Sequence, residues 1–300
     1  MATWQLLRGA DTLALSDRSP FDVVTVQGVG IPPVRRLTER GPFQDGDTDI
    51  GFRLDARTIN MVLVSTSDGK AAADTARDSL WEWFKPANTP FVLRCTRDDG
   101  TDRQIDVYPM GVIDAAITEQ DRQWGFQRYA AQLRAPLPVW YDPTPGSYSA
   151  IGGGSTGSYG FTIPMSIAWV MVSGSTIGTT ITIPYQGTWS VFPTITLYGP
   201  LAGVTVTNET TGEVLDFPSL TLSAGEWIEI DLSYGAKTIT DDTGANQIDK
   251  LSSDSDLATF HLAAHPDAPA GDNVIHFDVA ASATNDTGIK IDYAQHYIAL

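Results

Sequence analysis

The sequence predicts a mainly β protein with one helix, divided into two domains. Residues 193–231 (PTITLYGPLAGVTVTNETTGEVLDFPSLTLSAGEWIEID) carry apolar side chains at period 2: Ile195 and Leu197, Val204 and Val206, then Ile228, Ile230 and Leu232. Each set alternates with polar neighbours, as in an antiparallel sheet packed on one face and wet on the other. A helical period is convincing once, where Ala73, Ala76, Leu80, Trp83 and Phe84 recur at helical spacing. Residues 144–160 (TPGSYSAIGGGSTGSYG) form a Gly/Ser-rich connection in a 300-residue chain, which is long for a single core.

In chain order, Phe21 to Val26 reads as a strand, broken by Ile31-Pro32-Pro33. Gly41 to Asp47 is a turn by composition, and Gly51–Leu54 and Arg57–Ser65 follow as strands. The helix spans Ala71 to Phe84, capped by Ser67 or Asp68 and ended by Lys85-Pro86, with Leu80 and Trp83 buried against the preceding strand. Phe91–Thr96 and Gln104–Tyr108 form a hairpin around Asp98-Asp99-Gly100; Val112–Thr118 and Trp124–Arg134 form another. A parity shift between Phe126 and Tyr129 suggests a bulge in its second strand. The second domain is short strands throughout. The expected boundaries are 1–143, a connection at 144–160, and 161–300.

Charge separates the two parts. The chain carries a net −17, which disfavours sequence-independent nucleic-acid binding because that depends on neutralising phosphates. Residues 1–143 hold 16 Lys and Arg against 20 Asp and Glu, whereas residues 144–300 hold 3 against 16. Cys95 is the single cysteine, no apolar run is long enough to insert in a membrane, and the N-terminus does not read as a signal peptide. The expectation is a protein made and folded in a reducing cytoplasm.

Patterns with chemical meaning fail their context. Gly153-Gly154-Ser155-Thr156-Gly157 matches GxSxG, and Gly152, Gly154 and Gly157 match GxGxxG. Both need a strand before and a helix after, and here they lie in the low-complexity connection. Asp45, Asp47 and Asp49 alternate as in a calcium loop, but Ile50 and Ala56 stand where Gly and Glu are required. His261 and His265 stand four apart in HLAAH, which lacks the zincin glutamate and looks extended. Glu229 and Asp231 are the sharpest catalytic candidates, about 6.7 Å apart on one strand face beside Trp227. Glycosidase pairs instead face each other across a cleft, so neither an enzyme, a metal nor a cofactor is expected.

Beyond these patterns, ITLYGP, TNETTGE and SAGEWIEID, followed by KTITDDTGAN, SSDSDLATFHL, Gly271-Asp272-Asn273 before VIHFDV, and GIKIDYAQHYIAL, resemble the C-terminal region of siphophage distal tail proteins (Dit). DGDTDIGFRLDAR followed by INMVLV, and the exit APLPVWYDP, are similar to the N-terminal part of that family. One departure is Tyr185-Gln186-Gly187-Thr188-Trp189, where the family usually has Asn-x-Gly-Asp. The resemblance implies an N-terminal ring-forming (belt) domain and a C-terminal galectin-like antiparallel β-sandwich. It also implies a structural virion protein at the distal end of a long non-contractile tail. That protein is a homohexameric ring between the tail-tube protein and the baseplate hub or tail-associated protein, with the tape-measure protein in its lumen. Neither direct nucleic-acid binding nor membrane insertion is expected. A carbohydrate-binding tail adhesin, and behind it a tail-associated glycosidase, are the alternatives. The galactoside-binding Asn-Pro-Arg of galectins is absent.

Ring closure is expected from the N-terminal half, because a strongly acidic domain facing its own copies repels them. There, 14 of the 16 basic groups are arginines. Arg35, Arg36, Arg53 and Arg57 flank Asp45, Asp47 and Asp49, so arginines of one subunit are candidates to meet aspartates of the next.

Overall fold

The computed structural model describes residues 2–16, 20–114, 125–152, 177–281, 283–284 and 286–300. They form two compact units, one of residues 1–143 with 297–300, the other of residues 144–296.

The first unit contains β1 (Thr3–Arg8), β2 (Asp11–Ala14), β3 (Phe21–Gln27), β4 (Val34–Glu39), β5 (Thr48–Leu54) and β6 (Arg57–Thr66). The helix α1 (Lys70–Trp83) follows, then β7 (Phe91–Thr96), β8 (Asp102–Asp114), β9 (Phe126–Ala135) and the short β10 (Trp140–Tyr141). One antiparallel sheet runs β2-β1-β7-β8-β9-β6-β3, with β10 beside β8. Alternate residues of these strands, among them Leu6, Ile59, Met61, Leu63, Leu93, Ile105 and Leu133, make a single core.

Three local expectations change. What reads as separate strands before and after Pro109 is one strand, β8, whose pairing with β9 shifts register between Pro109 and Ile113. Proline is tolerated at such an irregularity because its missing N–H is not needed there. The expected bulge in β9 does not exist: β9 pairs continuously with β6 from Ala135 to Phe126. Its parity misleads because Gln127 is the inward residue, accepting the Tyr129 hydroxyl at 2.8 Å, while Phe126 faces out. The helix, finally, starts without a side-chain cap, behind Gly69 at φ 87. Ser67 is instead fixed by its backbone, its amide donating to the Gly125 carbonyl at 2.8 Å, where Gly125 has no room for a Cβ, and its Oγ is buried with no hydrogen-bond partner among the described residues.

Helix α1 buries Ala73, Ala76 and Leu80, with Phe84 just beyond its end. Trp83 is half-buried rather than buried, its ring edge-on to Phe91 at 6.5 Å. Arg8 of β1 lies over the Trp83 ring at 5.0 Å and donates to the carbonyls of Glu82 and Trp83. It therefore places a cation where the helix leaves carbonyls unpaired.

The second unit contains β11 (Gly146–Gly152), β12 (Ile177–Pro184), β13 (Thr194–Tyr198), β14 (Leu201–Asn208) and β15 (Glu213–Leu222). The remaining strands are β16 (Trp227–Asp231), β17 (Thr238–Asp241), β18 (Asp272–Ala281) and β19 (Thr287–Tyr293). They pair as two antiparallel sheets, β11-β19-β13-β16-β17 and β12-β18-β14-β15. Both contribute inward residues to one core, including Ile195, Leu197, Val206, Phe217, Ile230, Phe277 and Ile291, so the unit is a β-sandwich. Residues 146–152, read above as connection, are its strand β11.

The stretch 193–231 keeps its predicted alternation but not one sheet. β13 and β16 belong to the first sheet, β14 and β15 to the second. The chain changes sheet at Gly199-Pro200, where a Cβ on residue 199 would collide with Ser223 and Leu222. Two sheet edges are covered. Beside β15, the Ser252 amide donates to Asp216 O, the Asp256 amide to Val214 O, and the Val214 amide to the Asp256 carboxylate. Beside β17, the Gln247 amide donates to Ile239 O.

Candidate assembly surface

Strands β4 and β5 pair with each other and with no other strand among the described residues. An isolated two-stranded hairpin is marginal in water, and this one also exposes apolar side chains. Ile50 is 62 % and Phe52 50 % exposed, and Phe43 stands free at the tip in a left-handed conformation, φ 66. The tip is ordered by Gln44, whose side-chain oxygen accepts from the Gly41 amide at 2.9 Å and whose side-chain nitrogen donates to Thr48 Oγ1 at 2.9 Å. Concentrated apolar exposure on an ordered element is the mark of a contact surface.

The predicted charges divide on this hairpin. Arg36 pairs with Asp49 of its own chain at 2.8 Å and lies over the Phe52 ring. Arg35 pairs with Asp55 at 3.2 Å. Arg53 stands directly opposite Arg35 in the ladder and has no ion pair among the described residues. Two like charges face to face weaken a hairpin unless an acid meets them. Asp45 and Asp47 are exposed in the turn.

Arg57 leaves the set. It is 1 % exposed, so it cannot reach another subunit. Its guanidinium donates to the carbonyls of Pro138 (2.9 Å), Gly28 (3.2 Å) and Ile298 (2.7 Å), and lies 5.9 Å from the Trp140 ring. Burial pulls its pKa down to about 10, so it stays charged at neutral pH, its donors spent on carbonyls of its own unit.

The other predicted candidates are dispersed. Glu229 and Asp231 are neighbours on β16, and Asp231 Oδ1 accepts from both the amide and the hydroxyl of Ser233 in the following turn. His261 is not on a helix; its Nδ1 lies 3.0 Å from Glu213, while His265 is exposed. Among the described residues no group of three His, Cys, Asp or Glu is placed to hold a metal. The glycine patterns at 153–157 lie outside the described residues.

One arrangement escaped the sequence. Thr180 Oγ1 lies 3.0 Å from His276 Nδ1, and His276 Nε2 lies 3.0 Å from Asp278. The alternation of His276 and Asp278 in VIHFDV was its signal; Thr180 pairs with His276 only through the sheet. The order matches a nucleophile, an imidazole and a carboxylate. It sits on a sheet face, however, and β18 is paired on both sides. Its amides are spent in the ladders and form no oxyanion hole.

No protein-family model and no curated protein matches the chain. Solved structures do. The Dit protein of phage SPP1, described as a paradigm of hub adsorption apparatus in phages infecting Gram-positive bacteria, superposes with a TM-score of 0.64 at 12 % identity. The match covers 97 % of this chain and 98 % of that one. A chain of the phage P2 baseplate in its activated conformation with Ca matches at a TM-score of 0.47 and 11 % identity, covering 98 % of each. At such identities the likeness is one of fold, and the fold of this chain, from its first unit through its sandwich, is that of a phage Dit protein.

Proposed function

We propose that this protein is a structural subunit of a phage tail, the distal tail hub that joins the tail tube to the baseplate of a long non-contractile tail. The observation that carries the reading is the likeness to SPP1 Dit over nearly the whole of both chains. A partial likeness would fit a borrowed domain; a full-length one fits the same two-part building block. In this reading the second unit is a galectin-like sandwich, and the first forms a homohexameric ring with tail-tube, baseplate-hub and tape-measure proteins as its neighbours.

The hairpin of β4 and β5 supports self-association. It exposes Phe43, Ile50 and Phe52, and its Arg53 has no ion pair among the described residues. Head-to-tail contacts between unlike patches close into rings when the rotation permits. The acidic second unit is unsuited to that role, with 16 acidic groups against 3 basic across residues 144–300.

The test is the mass and appearance of the full chain in moderate salt, by light scattering and electron microscopy. Rings of six copies are expected, lost when residues 35–53 are replaced by a short glycine turn while the chain stays folded. A monomer at high concentration overturns the reading.

A further inference from the structure

The chain contains three Asp-Gly dipeptides, Asp45-Gly46, Asp68-Gly69 and Asp99-Gly100, and no Asn-Gly. Aspartate before glycine is prone to succinimide closure, because glycine puts no side chain beside the attacking amide and turns freely. Closure needs two free groups, the aspartyl carboxyl and the amide nitrogen that follows it. All three glycines are left-handed, with φ 79, 87 and 82, and none is crowded, so what separates them is hydrogen bonding.

At residues 99 and 100 both groups are held. Asp99 Oδ1 accepts from the Thr101 amide (2.9 Å) and hydroxyl (2.6 Å), and its Oδ2 lies 3.5 Å from Arg97. The Gly100 amide donates to the Arg97 carbonyl at 2.9 Å. At residues 68 and 69 only the amide is held, donating to Ser67 O at 3.0 Å, while Gly69 O accepts from the Ala73 amide of α1 at 3.1 Å. At residues 45 and 46 neither group is held. Both residues are exposed. Among the described residues the Asp45 carboxylate has no hydrogen bond or ion pair, and the Gly46 amide has no acceptor.

We propose that Asp45-Gly46 is a modification site, where the main chain converts spontaneously to isoaspartate. The Gly46 nitrogen attacks Asp45 Cγ, the new N–C bond closes a cyclic imide, and water leaves. Water then opens either imide carbonyl, which restores aspartate or routes the backbone through the former side chain. The water lost is regained, so nothing is oxidised or reduced. The β-linked product carries one more backbone atom between Gln44 and Thr48, whose side chains meet at 2.9 Å and order the tip of the β4–β5 hairpin. Conversion therefore loosens the tip. The chemistry is that of a single chain and is independent of ring formation.

The experiment keeps the full chain folded at neutral pH and body temperature for weeks in water enriched in heavy oxygen. Digests are then mapped by electron-transfer fragmentation, which distinguishes β-linked from α-linked aspartate. Isoaspartate and heavy oxygen are expected at residue 45, accumulating at least about tenfold faster than at residue 99, where closure must first break hydrogen bonds to a charged carboxylate and to the amide. Residue 68 should fall between them. In guanidinium the three rates should converge, because the bonds that separate them are gone. Asp45→Glu should abolish conversion at that position, since the longer side chain closes its larger ring far more slowly. Absence of isoaspartate at residue 45 overturns the proposal. Equal rates at residues 45 and 99 in the folded chain do so too, as does a difference that persists in guanidinium. Light scattering on the same samples records assembly, so failure here is distinguished from failure of the ring reading.

Discussion

The guanidinium of Arg57 donates to the carbonyl of Ile298 at 2.7 Å, across 241 positions of sequence. The same arginine holds Pro138 and Gly28, while Arg103 donates to Ala299 O at 2.8 Å and stacks on Tyr297 at 3.6 Å. Two arginines thus fasten residues 297–300 into the first unit. Arg57→Met should lower the stability of that unit by roughly 3 kcal/mol or more, since three carbonyls lose a charged donor. Urea unfolding followed by tryptophan fluorescence measures it.

Removal of residues 297–300 from the full chain should destabilise the first unit in the same sense. Arg57 and Arg103 each lose an acceptor, and Val29 loses the amide of Leu300. Hydrogen exchange resolved by segment should show faster exchange in β6 and β8 and little change in β13 to β16. Uniform acceleration across both units would contradict the assignment of the tail.

Helix α1 offers a graded series. Leu80→Ala should cost about 2–5 kcal/mol, as expected for a fully buried leucine. Trp83→Ala should cost less than a fully buried tryptophan does, because part of its surface stays wet. Trp81→Ala should fall within about 0.5 kcal/mol of the parent. Thermal melts of the three variants give the order directly.

Acid should weaken the second unit through His296. Burial keeps the pKa of this imidazole below 6.5, so it stays neutral in the fold while the unfolded chain takes up a proton. The unfolded state then binds more protons, and stability falls as pH drops below about 6.5. The His296→Asn variant should show a shallower loss between about pH 6.5 and 5 than the parent in denaturant titrations.

Asp241 has the same sign in a more acidic window. Its carboxylate accepts from Thr243 Oγ1 (2.7 Å), the Ala245 amide (2.9 Å), Gln247 Nε2 (2.6 Å) and the Thr243 amide (3.0 Å), which holds its pKa down to about 2. What it contributes to the turn is present above about pH 4 and is lost progressively as pH falls towards about 2. Asp241→Ala should speed exchange of the Thr243 and Ala245 amides at neutral pH while leaving β13 protected.

Most of the sandwich was legible because period 2 is a local signal. Ile195, Leu197, Ile228 and Ile230 are all inward, as their spacing requires. The allocation of β13 and β14 to opposite sheets was not legible, since Gly199-Pro200 reads equally well as a turn within one sheet. Gln127 and Phe126 show a second limit: burial of one polar residue in a strand inverts the apparent parity. Arg57 shows the third. In sequence it is one more arginine beside an acidic turn, and its burial follows from carbonyls at 138 and 298 that no local pattern announces. Arg53, its neighbour by four positions, stays in water.

The covered edges of β15 and β17 bear on crowding. A strand whose outer amides and carbonyls are already engaged is a poor template for another chain. Net negative charge adds a longer-range repulsion between copies. At these two edges, copies held side by side are thereby kept from joining their sheets into fibres.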